Sequence, residues 1–195
     1  MKKWWHYAVL VVMVVLSACS SLENRTKAEG EGAASISSQL HREGRFSVLV
    51  YDKSEERNTD SVQGGFDWQS TGQHVVLDLS NPLGQVLARI EVRPGFSRLT
   101  RANGEVFEAE HPDMLVQEVI GRVFPVSGLQ YWIHGKPMPD LTLEAAEYDG
   151  QHRLTKFTQA GWTVVAQNYD AEGPKRFQLV NQQAVERITI RIVME

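Results

Sequence analysis

The chain has 195 residues, 42% hydrophobic and 23% charged, with a formal net charge of −4. That length suits one domain with a sizeable core. An acidic balance with no Lys/Arg cluster excludes nucleic acid as the main partner and excludes attachment to anionic lipid through a polybasic patch.

Met1 to His6 (MKKWWH) holds two lysines and no acid, and Ala8 to Leu16 (AVLVVMVVL) is uncharged and apolar. A basic start, a short apolar run and small residues describe a secretory leader, and the run is too short to span a bilayer as a helix. Leu16-Ser17-Ala18-Cys19 also has the pattern of a bacterial lipobox. Cys19 is the only cysteine, so no intramolecular disulfide is available to it. The expectation is cleavage of residues 1–18, a diacylglycerol on the Cys19 sulfur and an acyl chain on its amine. Removing Lys2 and Lys3 makes the rest more acidic. Ser20 and Ser21, with no Asp after the cysteine, fit sorting to the outer membrane.

Residues 19–35 then read as the lipidated cysteine and a polar tether, whose fifteen or so flexible residues reach about 20 Å. Residues 36–195 read as one β-barrel domain. Ile36 to Glu43 is expected to form a short helix ended by Gly44. From Gly44 the apolar period becomes two. Phe46, Val48 and Val50 share a face, as do Val62, Gly64, Phe66 and Trp68, then Val75, Leu77 and Leu79. Val86, Ala88, Ile90 and Val92 alternate with Gln85, Arg89, Glu91 and Arg93. Such alternation marks antiparallel strands with one buried face. Between two of these runs stands Ser80-Asn81-Pro82-Leu83-Gly84-Gln85, turn chemistry with a leucine at its tip. Pro94-Gly95 and Asn103-Gly104 mark further turns, giving about six strands up to Glu108.

Asp113 is expected to cap a helix over Met114 to Arg122, and Pro125 to begin a second over Val126 to Gly135. Five strands follow: 141–148, 153–158, 162–169, 176–180 and 185–193. The fold class predicted is mainly β, an incomplete, half-open antiparallel barrel of about eleven strands with a helical lid over an apolar cavity. Phe46, Phe66, Trp68, Ile90, Tyr131 and Trp132 are the candidate cavity residues, and a packed core would use the same chemistry.

No hydrolase elbow, phosphate loop or dinucleotide fingerprint is present, and the six histidines are scattered. The chain is therefore expected to be no enzyme, to hold no metal and no cofactor, and to be a monomer.

Six segments in order, Gly44–Val48 (GRFSV), Phe66–Gln69 (FDWQ), Ser80–Gly84 (SNPLG), Arg93–Gly95 (RPG), Pro125–Gly135 (PVSGLQYWIHG) and Gly161–Val164 (GWTV), together with the lipobox, resemble the family of outer-membrane lipoprotein receptors called LolB. The resemblance implies a non-enzymatic receptor, anchored through Cys19 at the periplasmic face. Such a receptor takes acylated lipoproteins from the periplasmic carrier LolA and places them in outer-membrane phospholipid without ATP. It also implies that Leu83, on a tip shaped by Pro82 and Gly84, meets the membrane. The competing expectations are an envelope-anchored, lipocalin-like binder of a small apolar ligand and, more remotely, an envelope hydrolase.

Overall fold

The computed structural model describes residues 39–195. The leader, Cys19, the tether and residues 36–38 lie outside the described residues. Six strands run in succession: β1 (Gln39–Asp52), β2 (Arg57–Thr71), β3 (His74–Ser80), β4 (Val86–Arg93), β5 (Phe96–Arg101) and β6 (Val106–Ala109). Two short helices follow, α1 (Pro112–Ile120) and α2 (Val126–Trp132). Then come β7 (Glu144–Tyr148), β8 (Leu154–Gln159), β9 (Trp162–Tyr169), β10 (Pro174–Gln182) and β11 (Glu186–Met194).

All eleven strands form one sheet in the order β6-β5-β4-β3-β2-β1-β11-β10-β9-β8-β7. Each half is a meander of neighbouring antiparallel strands, and the β1–β11 pairing joins the two. β6 and β7 are left as edges, so the barrel is open. The alternation predicted from the sequence sets the inner face. Val50, Phe66, Trp68, Val75, Leu77, Ile90, Val92 and Leu99 are buried from the first half, and Val164, Phe177, Leu179, Ile188 and Ile190 from the second.

Residues 39–43 are a correction to the expected helix. They extend β1, pairing with the end of β2 from Gln39↔Thr71 to Glu43↔Asp67. Leu40 and Arg42 are buried at period two, and hydrogen bonding to β2 overrides a weak local helix preference. Gly44 is no helix stop. A Cβ there would strike the Val193 carbonyl, and one at Gly64 would strike the Ser80 carbonyl. These two glycines let neighbouring strands fold sharply across β1 and β2. Phe46 and Phe66 stand directly opposite them in the ladder, so each ring covers a bare backbone.

Two arginines tie distant parts of the sheet together. The Arg42 side chain is 5% exposed and donates through Nη1 and Nη2 to the Asp170 carboxylate at 2.7 and 2.6 Å. β11 and β10 lie between these partners in the sheet, so the bond is made across the curl. Arg122, after α1, pairs with Asp60 of β2 at 3.5 Å and Glu186 of β11 at 2.8 Å.

The helix starts also differ from expectation. His111 is the N-cap of α1, and Asp113 lies in its first turn. Asp113 Oδ1 accepts instead from Ser127 N at 2.8 Å, so it caps α2 across the interhelix connection. Burial raises its pKa against the lowering effect of its bonds to Ser127 and Val126.

Candidate functional site

Two features stand out, an exposed leucine tip and a closed apolar pocket. The tip joins β3 to β4. Asn81 N donates to Gln85 O and Gly84 N donates to Asn81 O, both at 2.9 Å, closing a three-residue loop with Pro82 first and Gly84 left-handed at φ 85°. Asn81 Oδ1 accepts from Leu83 N and Gln85 N, each at 3.0 Å. The loop is therefore braced from inside by an asparagine side chain.

Two other hairpins repeat this construction. In 101–105, Arg101 N donates to Glu105 O and Gly104 N to Arg101 O, with Gly104 at φ 85°. In 149–153, Asp149 Oδ1 accepts from Gln151 N and Arg153 N at 2.9 and 3.0 Å. The slot that holds Asn103 and Gln151 in those loops holds Leu83 here, 94% exposed. Val86 and Leu87 beside it are each 46% exposed. Val86 was expected on the buried face with Ala88, but β3 and β4 slip register between Leu79 and Ser80 at this end. Three apolar side chains within five residues thus meet solvent at one loop.

The pocket lies under α2. Phe46, Phe66, Trp68, Leu77 and Leu79 line it from the sheet's first half, Ile192 and Met194 from β11, and Phe124, Leu129 and Ile133 from the helical segment. Its volume is about 30 Å³, one water's share of liquid and far below the roughly 300–1,000 Å³ of a formed ligand site. The Trp68 Nε1 is buried and has no hydrogen-bond partner among the described residues.

α2 closes this pocket and is held at one side. Trp132, 1% exposed, packs edge-on to Phe157 with ring centroids 5.8 Å apart. Gly128 leaves room for the Trp132 ring one turn below it, where a Cβ would clash. Gln159 of β8 is 2% exposed. Its Oε1 accepts from Trp132 Nε1 at 3.1 Å and Met138 N at 2.9 Å, and its Nε2 donates to the Met138 and Leu141 carbonyls at 3.0 and 2.9 Å. One buried amide thus ties the helix and the following loop to the sheet. Sequence reasoning missed it, because a lone Gln in a strand carries no signal of what it meets.

A groove of about 560 Å³ opens beside the tip. Its walls include Gln63, Ser80, Asn81 and Pro82, and its floor Gly44, Gly64 and Gly65. Phe46 and Phe66 line both this groove and the closed pocket. On its rim His41 Nε2 lies 3.0 Å from Asp67 Oδ2, and this hydrogen bond raises the histidine's pKa.

The family model described as outer membrane lipoprotein LolB matches residues 38–195. The outer-membrane lipoprotein LolB of Bordetella pertussis is 39% identical over 193 residues, which cover 98% of this chain and 93% of that protein. The chain belongs to the LolB family. Proteins of the same name from Cupriavidus pinatubonensis and Cupriavidus necator are 32% and 34% identical, covering 93% of this chain and 89% and 90% of their own lengths. A solved structure, the LolA superfamily protein NE2245 from Nitrosomonas europaea, aligns with 80% of this chain and 85% of its own at a TM-score of 0.43 and 8% identity.

In this LolB-family chain the candidate cavity residues divide. Phe46, Phe66 and Trp68 line the pocket. Ile90 and Trp132 do not; each is 1% exposed and walled into the core. Tyr131 is half-buried against that core and lies outside the pocket lining. Alternation placed all six on apolar faces, but the seam between sheet and helix decides which of them meet.

Proposed function

We propose that this protein accepts acylated lipoproteins from a carrier of the LolA type and places them in the outer membrane, acting without catalysis and without ATP. Residues 1–18 are its leader, Cys19 carries its own lipid anchor, and residues 19–35 tether residues 36–195 to the periplasmic face. The observation that carries this reading is the pairing of an all-apolar pocket under a short helix with a fully exposed leucine on a braced tip, in a LolB-family chain. The pocket suits acyl chains because its wall offers only hydrocarbon. Its closure in the empty protein keeps that surface from water. Exposing three acyl chains costs on the order of tens of kcal/mol, so cargo must pass between sheltered sites. Each 1.4 kcal/mol by which the receptor out-binds the carrier favours transfer about tenfold.

A preformed small-ligand cavity, as in a lipocalin-like binder, is poorly supported by a pocket of about 30 Å³. The tip adds a weak, local membrane contact: burying one leucine fully contributes about 1.5–3 kcal/mol. That is too little to anchor a protein and enough to orient a tethered one.

The test is a two-stage transfer. Carrier loaded with labelled lipoprotein is mixed with the protein, then with outer-membrane vesicles. Label is expected to move to the protein and then to the vesicles. With Leu83→Glu, the first step is expected to persist and the second to fall at least fivefold. If no label leaves the carrier, the receptor reading fails; if Leu83→Glu delivers normally, the tip has no part in delivery.

A further inference from the structure

β2 is longer than the strand that pairs with it. It pairs with β1 from Arg57↔Asp52 to Thr71↔Gln39, interrupted by a bulge that leaves Thr59 without a partner. β3 pairs only with Gly65 to Thr71 and stops at Ser80. Residues 57–63 are therefore bonded on one side only, and no other main-chain hydrogen bond reaches them among the described residues. All seven are exposed, including Val62, which alternation placed on the buried face with Phe66 and Trp68 but which lies beyond the reach of β3. This is an open strand edge of about 23 Å inside the sheet order, where, on each side of the bulge at Thr59, every second residue turns its N–H and C=O away from β1.

Such edges invite another strand, and soluble proteins usually blunt them. This one ends in the groove beside the leucine tip. Gln63 and Gly64 belong both to that end of β2 and to the groove wall, and Phe46 and Phe66 connect the groove to the apolar pocket. A ligand lying along this path meets hydrocarbon at one end and a free main-chain ladder at the other. The rim between them is acidic on balance: Glu43, Asp67, Asp78 and Glu195 line the groove with Arg45, while Arg89 pairs with Asp78 at 2.6 Å and His41 with Asp67 at 3.0 Å. A phosphate-bearing lipid is disfavoured there, whereas a cysteine acylated on sulfur and nitrogen carries no charge.

We propose that the open edge of β2, residues 57–63, pairs with the extended peptide that follows the acylated cysteine of the cargo, while the acyl chains pass Phe46 and Phe66 into the pocket. This rests on the receptor reading above. It adds a main-chain, sequence-independent grip that lets one protein handle cargoes with different N-terminal sequences.

The experiment is hydrogen exchange read by mass spectrometry on the full chain in nanodiscs. Three probes are compared: a ten-residue peptide with a tri-acylated N-terminal cysteine, the tri-acylated cysteine amide alone, and the unmodified peptide. The acylated peptide is expected to slow exchange at least tenfold in residues 57–63. The cysteine amide is expected to protect only the segments containing Phe46 and Phe66. Ser61→Pro and Val62→Pro supply a second reading, because adjacent residues face opposite edges. The variant whose melting temperature is unchanged removes an outward N–H, and it is expected to weaken the acylated peptide about tenfold without weakening the cysteine amide.

Protection of the Phe46 and Phe66 segments with residues 57–63 unchanged overturns the edge proposal and leaves the receptor reading standing. So does equal protection of 57–63 by the cysteine amide, or slow exchange there from nanodisc phospholipid alone. If neither acylated probe slows exchange anywhere, both readings fall.

Discussion

Leu83 occupies a position that two sister hairpins give to polar residues. The three loops share their closing bonds and a left-handed residue near the end, Gly84, Gly104 or His152, so loop geometry does not call for a leucine. Nothing lies near enough to shelter it, and water meets almost its whole side chain. Asn81 holds it out. Replacing Asn81 with Ala removes the acceptor of two backbone N–H groups and is expected to cost about 1 kcal/mol, read as a lower urea midpoint. The same variant is expected to slow delivery to vesicles less than Leu83→Glu does, since the leucine remains. Delivery slowed as much by Asn81→Ala would mean that the rigidity of the tip, and not its hydrophobicity, matters. The tip's chemistry was legible in the sequence as Asn-Pro-Leu-Gly. The brace and the apolar neighbours Val86 and Leu87 were not, because a register slip of one residue turns Val86 outward.

At the scale of elements, α2 covers the pocket through Leu129. It enters beneath a cap supplied by Asp113 from the other helix and leaves through a loop fixed by Gln159. Gln159→Leu strands two buried donors and two carbonyls, and is expected to destabilise the fold by about 3 kcal/mol, with melting lowered by several degrees. Stability unchanged by that substitution would mean that the clamp is dispensable. On the sheet side, Gly44 and Gly64 permit the fold across β1 and β2. Gly44→Ala sets a methyl against the Val193 carbonyl, and backbone must shift to receive it. A loss of about 2 kcal/mol is expected, from overpacking and not from any change in backbone freedom. Period-two alternation revealed the strands, including β9 with its observed limits. It did not reveal that 39–43 continue β1, because a helix and a strand compete closely over so short a stretch and only β2 settles it.

For the whole molecule, charge ties distant parts of the sheet together in a way that depends on pH. The Arg42 guanidinium beside Asp170 holds that carboxyl well below the usual carboxylate range, helped by the backbone N–H groups of Glu172 and Gly173. A carboxylate with a depressed folded pKa stabilises the fold fully above its unfolded value near 4, and that contribution declines below it and is gone only once pH has fallen through the folded value. Burial lowers the pKa of His134, so its contribution is complete above about 6.5 and declines as pH falls below that value. Both act in the same direction, and acid is expected to unfold the protein. Asp113 opposes them weakly, since a raised carboxyl pKa disfavours the fold once it ionises. The check is urea unfolding of wild type and Asp170→Asn at pH 6 and pH 2.5. The variant is expected to be less stable at pH 6, with a gap that has narrowed but not closed at pH 2.5, where the native carboxyl is still ionised; a gap as wide at pH 2.5 as at pH 6 would mean that Asp170 acts through packing and not through charge.

The sequence by itself determined the class of fold, the count of strands, the place of the two helices and the identity of the leucine tip. Each of these rests on local information: a period of two, a turn tetrapeptide, a proline before an apolar helical run. Tertiary structure alone decided which aromatic residues face the pocket, how tightly α2 closes it, where Asp113 spends its carboxylate, and that β2 outruns β3. Those facts depend on register and curvature, which arise only when strands far apart in the chain are paired and bent around Gly44 and Gly64. Neighbouring residues carry no record of that pairing.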